Sequence, residues 1–348
     1  MRAARYYGNR DLRLEEVPEP VPIRDELLLR VRVAGICGTD VHEYYDGPIF
    51  TRATKPHPLT GVTNPVILGH EFCGAVVAVG EDVDDIPVGA LVVANPLETC
   101  GRCVNCLAGS FNLCPLRAAH GLTRSGGAFS DLTTVKRSMA HVLPQGVTVE
   151  QGAIAEPMAV ALRAVLRLGA EPGQVVAVHG AGPIGIGALL ALRARGIGTI
   201  ASDPSAVRRG ALAALGFDNV IDPAETDVVT AILELTNGRG ADHSVDAAGV
   251  PAALNSALAT TADDGTVMMV AVPLQPVELP GKFFRQAEAR LTSSTGVRDE
   301  FPETIASLAR GDYPLDGWVT TIEFDALLSE GFEPLHRQEK VKVLVDLR

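Results

Sequence analysis

No stretch of this sequence is long and unbroken enough to anchor it in a membrane. Val175–Leu192 carries no Lys, Arg, Asp or Glu, but four glycines and a proline divide it into short apolar runs, and a spanning helix needs about 20 consecutive apolar residues. A signal-peptide core is also missing. Met1-Arg2-Ala3-Ala4-Arg5-Tyr6-Tyr7 leads quickly into acidic residues, so a cytoplasmic protein is expected. There is no excess of basic residues: 30 Lys and Arg stand against 42 Asp and Glu, for a net charge of −12. That balance excludes nucleic acid and anionic membrane surfaces as partners. No internal repeat of fixed period and no low-complexity tract is present. Cysteine is scarce, at six residues, and four of them fall within the fifteen residues from Cys100 to Cys114. A disulfide scaffold spreads its cysteines along a short secreted chain, whereas clustering in a chain of this kind reads as metal ligation.

What is present begins with the segment from Val175 to Asp203. An apolar strand, Val175-Val176-Ala177-Val178, runs into Gly180-Ala181-Gly182-Pro183-Ile184-Gly185, then into an apolar helix and a second strand ending at Asp203. In such a unit Gly180 permits the tight turn, Gly182 lets a pyrophosphate approach the backbone, and Gly185 lets the helix pack closely on the strand. The helix start at Pro183 offers the free N–H groups from Ile184 onward, and the positive end of the helix dipole, to phosphates. Asp203, eighteen residues after Gly185, stands where an acid accepts hydrogen bonds from the ribose hydroxyls. It favours NAD over NADP by repelling a 2′-phosphate, although Arg208 and Arg209 lie just beyond it.

The remaining pattern predicts two domains. Residues 1–150 are rich in β-branched residues, Gly and Pro and read as a mostly β domain. Residues 151–296 alternate strands with helices, which implies a doubly wound parallel sheet. At the boundary a helix opens near Glu150 and runs towards Leu168, and further on Gly265–Val272 is a strand. Residues 297–348 are expected to return to the first domain. Cys100, Cys103, Cys106 and Cys114 supply four thiolates, enough to close a tetrahedral zinc site and leave it a structural role. Cys37, the pair His70-Glu71 and Glu156 are candidates for a second, open metal site. Their spacing alone fits a turn cysteine and a hydrogen-bonded core histidine equally well.

The chain resembles the zinc-dependent medium-chain dehydrogenases. The resemblance is carried over nearly its whole length by Gly35–Asp40, Gly69-His70-Glu71, the four-cysteine segment, Glu156-Pro157 and Gly180–Gly185. More narrowly it is similar to the butanediol and sorbitol dehydrogenase branch, through Cys37–Tyr44, Gly47-Pro48-Ile49-Phe50, Pro56–Gly61 and Phe301-Pro302-Glu303. The resemblance implies a GroES-like catalytic domain split around a Rossmann domain, with one catalytic and one structural zinc per chain and NAD as cofactor. It implies that Cys37, His70 and Glu156 bind the catalytic zinc, that Glu71 enters its coordination transiently, and that Thr39 and His42 relay the substrate proton. Backbone at Val270, Val272 and Ser294 would face the nicotinamide. The substrate would be a small alcohol or ketone, most closely a vicinal diol or α-hydroxyketone. A polyol or threonine-type activity, or a non-catalytic nucleotide-binding protein on the same fold, are the alternatives. A homodimer or homotetramer is implied, with the Gly265–Val272 strand as its cross-subunit edge.

Overall fold

The structure is a computed structural model and describes residues 1–273, 276–279, 281, 284 and 287–348. The chain divides into two compact units. One comprises Met1–Glu156, Gly296–Arg310 and Val319–Arg348; the other comprises Pro157–Thr295 and Gly311–Trp318.

The first unit opens with β1 (Arg2–Gly8) and β2 (Asp11–Glu16), an antiparallel pair, followed by the long β3 (Glu26–Gly35). Alternate residues of β3, Leu27, Leu29, Val31 and Val33, are buried, as a strand of period two requires. After β3 come α1 (Gly38–Asp46), β4 (Val66–Ile67), β5 (Glu71–Val79) and β6 (Leu91–Ala94). A short excursion follows, with β7 (Leu97–Glu98), α2 (Val104–Leu107) and β8 (Ala118–Ala119), and then β9 (Leu132–Lys136) and β10 (Ala140–Val142). The helix expected from Glu150 to Leu168 is two helices, α3 (Val149–Ala153) and α4 (Ala155–Leu168). Thr148 and Gln151 form a reciprocal cap at the start of α3. At its end Ile154 leaves helical geometry, with ψ near 0°, so α4 restarts with Glu156 in its first turn.

In the second unit β11 (Val175–His179), α5 (Pro183–Ala194), β12 (Gly198–Ser202), α6 (Ala206–Ala214), β13 (Val220–Ile221), α7 (Val228–Leu235), β14 (Ala241–Asp246), α8 (Pro251–Thr260), β15 (Thr261–Met269) and β16 (Arg290–Ser293) alternate. The strands order β13-β12-β11-β14-β15-β16, and every pairing is parallel. This is the doubly wound order of a dinucleotide-binding domain. It corrects one expectation: residues 266–269 of β15 pair with β14 on one side and β16 on the other. Their backbone is therefore spent within the sheet, and β16 is its edge among the described residues.

The chain then returns through α9 (Phe301–Arg310), β17 (Val319–Glu323) and β18 (Lys342–Asp346). Only the segment Gly311–Trp318 groups with the second unit, where Gly317 lies against Ala214. In the first unit the main sheet runs β10-β6-β5-β3-β18-β17, with β9 also pairing β3. Phe72, Phe129 and Phe332 are buried in its core, each worth roughly 1.5–3 kcal/mol.

Candidate metal and nucleotide sites

The first cluster is built by strand direction. β5 and β18 both run antiparallel to β3, so Gly35, at the end of β3, lies beside Glu71 on one side and Leu344 on the other. The chain leaving β3 reaches Cys37, which caps α1. Asp40, three residues on, turns its Oδ2 back to accept the Cys37 N–H at 3.0 Å. His70 and Glu71 open β5. In this way residues more than thirty positions apart converge: the ligand atoms of Cys37, His70 and Glu71 all lie within 4.8 Å of one another.

Glu156 stands outside that set, yet the charges of His70 and Glu71 act on it. Burial, resisted by His70 and aided by Glu71, pushes its carboxyl up to about 7. Thr39 Oγ1 is 3.6 Å from Cys37 Sγ. His42 is exposed one turn further along α1, with Nδ1 3.1 Å from Asp46 Oδ2.

Behind His70 sits Asp40, fully buried, with Oδ1 3.6 Å from His70 Nδ1. Neither of those two atoms has a hydrogen-bond partner among the described residues. Burial opposes charge on His70, but Asp40 and Cys37 outweigh it and hold the imidazole well above its ordinary value. The pocket's field therefore favours a cation. A metal displaces the proton from such a site, and a carboxylate behind the histidine orients the ring towards it. The donor set of a thiol, an imidazole and a carboxylate, converging within 4.8 Å, fits a zinc ion.

Lys342 is a residue that reading the sequence missed. It looked like an ordinary strand residue, but it is buried at 1% exposure. Its Nζ pairs with Glu71 Oε2 and donates to Ile36 O at 3.0 Å. Gly35 makes room, since a Cβ there would strike the Glu71 carboxylate. A lysine in an otherwise apolar strand start was the only available signal, and its partner lies 271 residues away.

The four-cysteine cluster is local. The Sγ atoms of Cys100, Cys103, Cys106 and Cys114 lie within 4.8 Å of one another, and all are free thiols. The backbone N–H groups of Arg102 and Cys103 draw the Cys100 thiol down to about 6. Four converging sulfurs with an ionisable member are the donor set of a closed zinc site.

In the second unit Gly180 has φ +103°, and a Cβ there would crowd the Ala247–Ala248 backbone; a Cβ on Gly185 would strike Gly180 O. A Cβ on Gly182 meets no protein atom within 4 Å. The space beside Gly182 at the start of α5 thus admits a phosphate, and the cradle fits a dinucleotide. Asp203 is buried and accepts N–H groups from Ala181 at 2.7 Å and Ser205 at 2.8 Å. Arg208 Nη1 lies 3.4 Å from Asp203 Oδ2, whereas Arg209 is committed to the Asp203 and Pro204 carbonyls and to Asp222. Pro183 and Ile184 form the first turn of α5. Val270 follows β15, its N–H donating to Asp246 O at 2.9 Å, and Val272 is 67% exposed. Ser294 is buried just past β16, its Oγ without a partner among the described residues. His179, read as locally bonded, shares Nδ1 with Ser202 Oγ at 3.1 Å. No helix among the described residues is long and apolar enough to cross a membrane.

Residues 23–145 match the alcohol dehydrogenase GroES-like domain family, and residues 183–310 match the zinc-binding dehydrogenase family. A crystal structure of 2R,3R-butanediol dehydrogenase from Bacillus subtilis is 37% identical to this chain. It superposes with a TM-score of 0.94, covering 100% of this chain and 99% of that one. A sorbitol dehydrogenase of the same organism is 35% identical over 89% of this chain and 86% of its own length. A Sinorhizobium meliloti protein described as a zinc-binding dehydrogenase, solved with NADP bound, is 31% identical with a TM-score of 0.90 over 99% of this chain and 98% of that one.

Proposed function

Since the chain belongs to the zinc-dependent medium-chain dehydrogenases, we propose that it moves a hydride between NAD(H) and a vicinal diol or α-hydroxyketone, with 2,3-butanediol and acetoin as the pair. The observation that carries this reading is the convergence of Cys37, His70 and Glu71 on a chain 37% identical to an (R,R)-butanediol dehydrogenase over 99% of both.

Cys37, His70 and Glu156 would hold the catalytic zinc, with Glu71 entering its coordination transiently, and the four cysteines would hold a second, structural zinc. When bound, the catalytic zinc supplies a Lewis acid that makes an alcohol's proton easier to lose. Asp40 keeps the His70 ring oriented, and Lys342 holds Glu71 back as a reserve carboxylate. Thr39 Oγ1, beside Cys37, would take the substrate hydroxyl proton, and His42, whose ring is exposed, would pass it to solvent by way of the cofactor ribose. The hydride leaves the carbon that bears this hydroxyl for C4 of the nicotinamide, and that carbon becomes the carbonyl. Gly180–Gly185 seat the pyrophosphate, and Asp203 binds the adenosine ribose and selects NAD over NADP. The enzyme would be cytoplasmic, where thiols stay reduced, and a homodimer or homotetramer associating through β16.

A polyol substrate is the second reading, favoured by the 35% identity to sorbitol dehydrogenase. A non-catalytic nucleotide binder has no use for a hydroxyl, Thr39, beside a converging set of metal-ligating side chains. The test compares NADH formation with 2,3-butanediol and with sorbitol, each with and without a zinc chelator. Faster, chelator-sensitive turnover of butanediol is expected. Preference for sorbitol would replace the substrate assignment, and turnover indifferent to thorough zinc removal would end the zinc mechanism.

A further inference from the structure

We propose that Arg124 is a positioning residue for the four-cysteine lobe: it clamps the lobe's neck, so that metal retention in the lobe depends on a buried ion network outside it. This rests on reading the four thiols as zinc ligands.

The neck consists of β7 and β8, paired only through Leu97 with Ala119 and Glu98 with Ala118. Cys100 follows β7 by two residues and Cys114 precedes β8 by four. A ladder of two residue pairs is too short to hold itself closed. The chain leaving β8 turns back at once, with the N–H groups of Leu122, Thr123 and Arg124 all donating to Ala119 O. That turn sends the Arg124 side chain under the neck, where it is 4% exposed.

Its donors are divided between neck and sheet. Nε donates to Glu98 Oε2 at 2.8 Å on the neck, and Nη2 to Glu26 Oε1 at 2.5 Å at the start of β3. Nη1 donates to Thr134 O at 2.9 Å on β9 and to Ser125 O at 3.1 Å. Lys136 Nζ meets the other Glu98 oxygen at 2.6 Å. Two carboxylates are thus balanced by two cations, and an arginine spreads its donors over three nitrogens in one plane, whereas a lysine must make all its bonds from a single nitrogen. His120 completes the cluster: its Nδ1 faces Arg124 Nη1 at 3.4 Å and its Nε2 faces Thr133 Oγ1 at 3.1 Å. Without the guanidinium, Glu98 and Glu26 are left short of a buried partner and the two arms of the neck separate more easily. The loops carrying Cys100 and Cys114 then open together.

The experiment counts zinc per chain in the full-length protein. It then follows alkylation of each cysteine by mass spectrometry in the presence of a chelator. In Arg124→Met, and less so in Glu98→Gln and Arg124→Lys, alkylation of Cys100, Cys103, Cys106 and Cys114 should be about tenfold faster than in the native chain, the scale typical of lost support to metal ligands. The Cys37 rate should be unchanged. If Arg124→Met does not fold, Glu98→Gln and Lys136→Met carry the comparison, Lys136 being partly exposed. Equal acceleration at Cys37 would mean general loosening and would overturn the proposal, as would unchanged lobe rates in every folded variant. Lobe thiols already reactive without chelator in the native chain, with no lobe zinc counted, would instead overturn the reading on which it rests.

Discussion

Replacing Lys342 with methionine preserves side-chain length and removes the charge that faces Glu71. The lysine is buried and holds both Glu71 Oε2 and Ile36 O. Breaking a buried ion pair from one side costs about 3–5 kcal/mol, because the surviving charge keeps its desolvation penalty and loses its partner. The orphaned Ile36 carbonyl adds about 1–3 kcal/mol. Glu71→Gln alone should cost a similar 3–5 kcal/mol or somewhat less, since a buried ammonium then faces only an amide and a carbonyl. The double variant, Lys342→Met with Glu71→Gln, buries no charge, so its cost should fall to about 1–3 kcal/mol, mainly the lost carbonyl bond. The two single effects are therefore strongly non-additive. Urea unfolding of metal-free native, single and double variants, arranged as a double-mutant cycle, measures the coupling. Single-variant costs that simply add in the double variant would refute the claim that the two side chains hold each other.

Three further outcomes are expected. Asp40→Asn should weaken zinc binding at the Cys37–His70 cluster by about 10–100-fold while leaving lobe zinc in place. Titration with a competing chelator measures this, and unchanged affinity would show that Asp40 does not orient His70. Burial holds His179 at about 4, whereas the unfolded chain takes up this proton near about 6.5. Stability tied to His179 is thus intact above about pH 6.5 and is lost as pH falls towards 4, by roughly 3 kcal/mol in all. His179→Phe should remove that part of the acid sensitivity in urea unfolding at pH 7 and pH 5, and an identical pH slope in the variant would contradict the assignment. Asp203→Ser should lower the ratio of kcat/KM with NAD to that with NADP. Because Asp203 also secures Ala181 and Ser205, both cofactors should bind less tightly, so the ratio is the informative quantity; an unchanged ratio would remove Asp203 from cofactor selection.

The features legible along the chain are those whose parts are close in sequence. Four thiols within fifteen residues converge because the intervening loops are too short to let them part. The turn from Gly180 to Gly185, the helix after it and Asp203 at the next strand end form one local unit. Alternation of strands and helices was enough to imply a parallel doubly wound sheet. The break at Ile154 was legible in Pro157, which suits only the first turn of a helix, but the apolar helical period that continues from Glu150 to Leu168 across the break outweighed it. The place of β15 inside its sheet was hidden because a parallel strand's neighbours are chosen by crossovers that periodicity does not encode.

The sequence by itself determined the local chemistry: the lobe, the nucleotide turn and the identity of the residues able to bind a second metal. Only the tertiary structure decided which of those residues meet. Pairing of β5 and β18 against β3 brings Cys37, His70 and Glu71 together and sets Lys342 against Glu71. Glu156 enters separately on the first turn of α4, outside that close group. A buried charge must find its partner wherever the sheet delivers one, and the strand order that delivers Lys342 is a property of the whole packed domain rather than of any stretch of the chain.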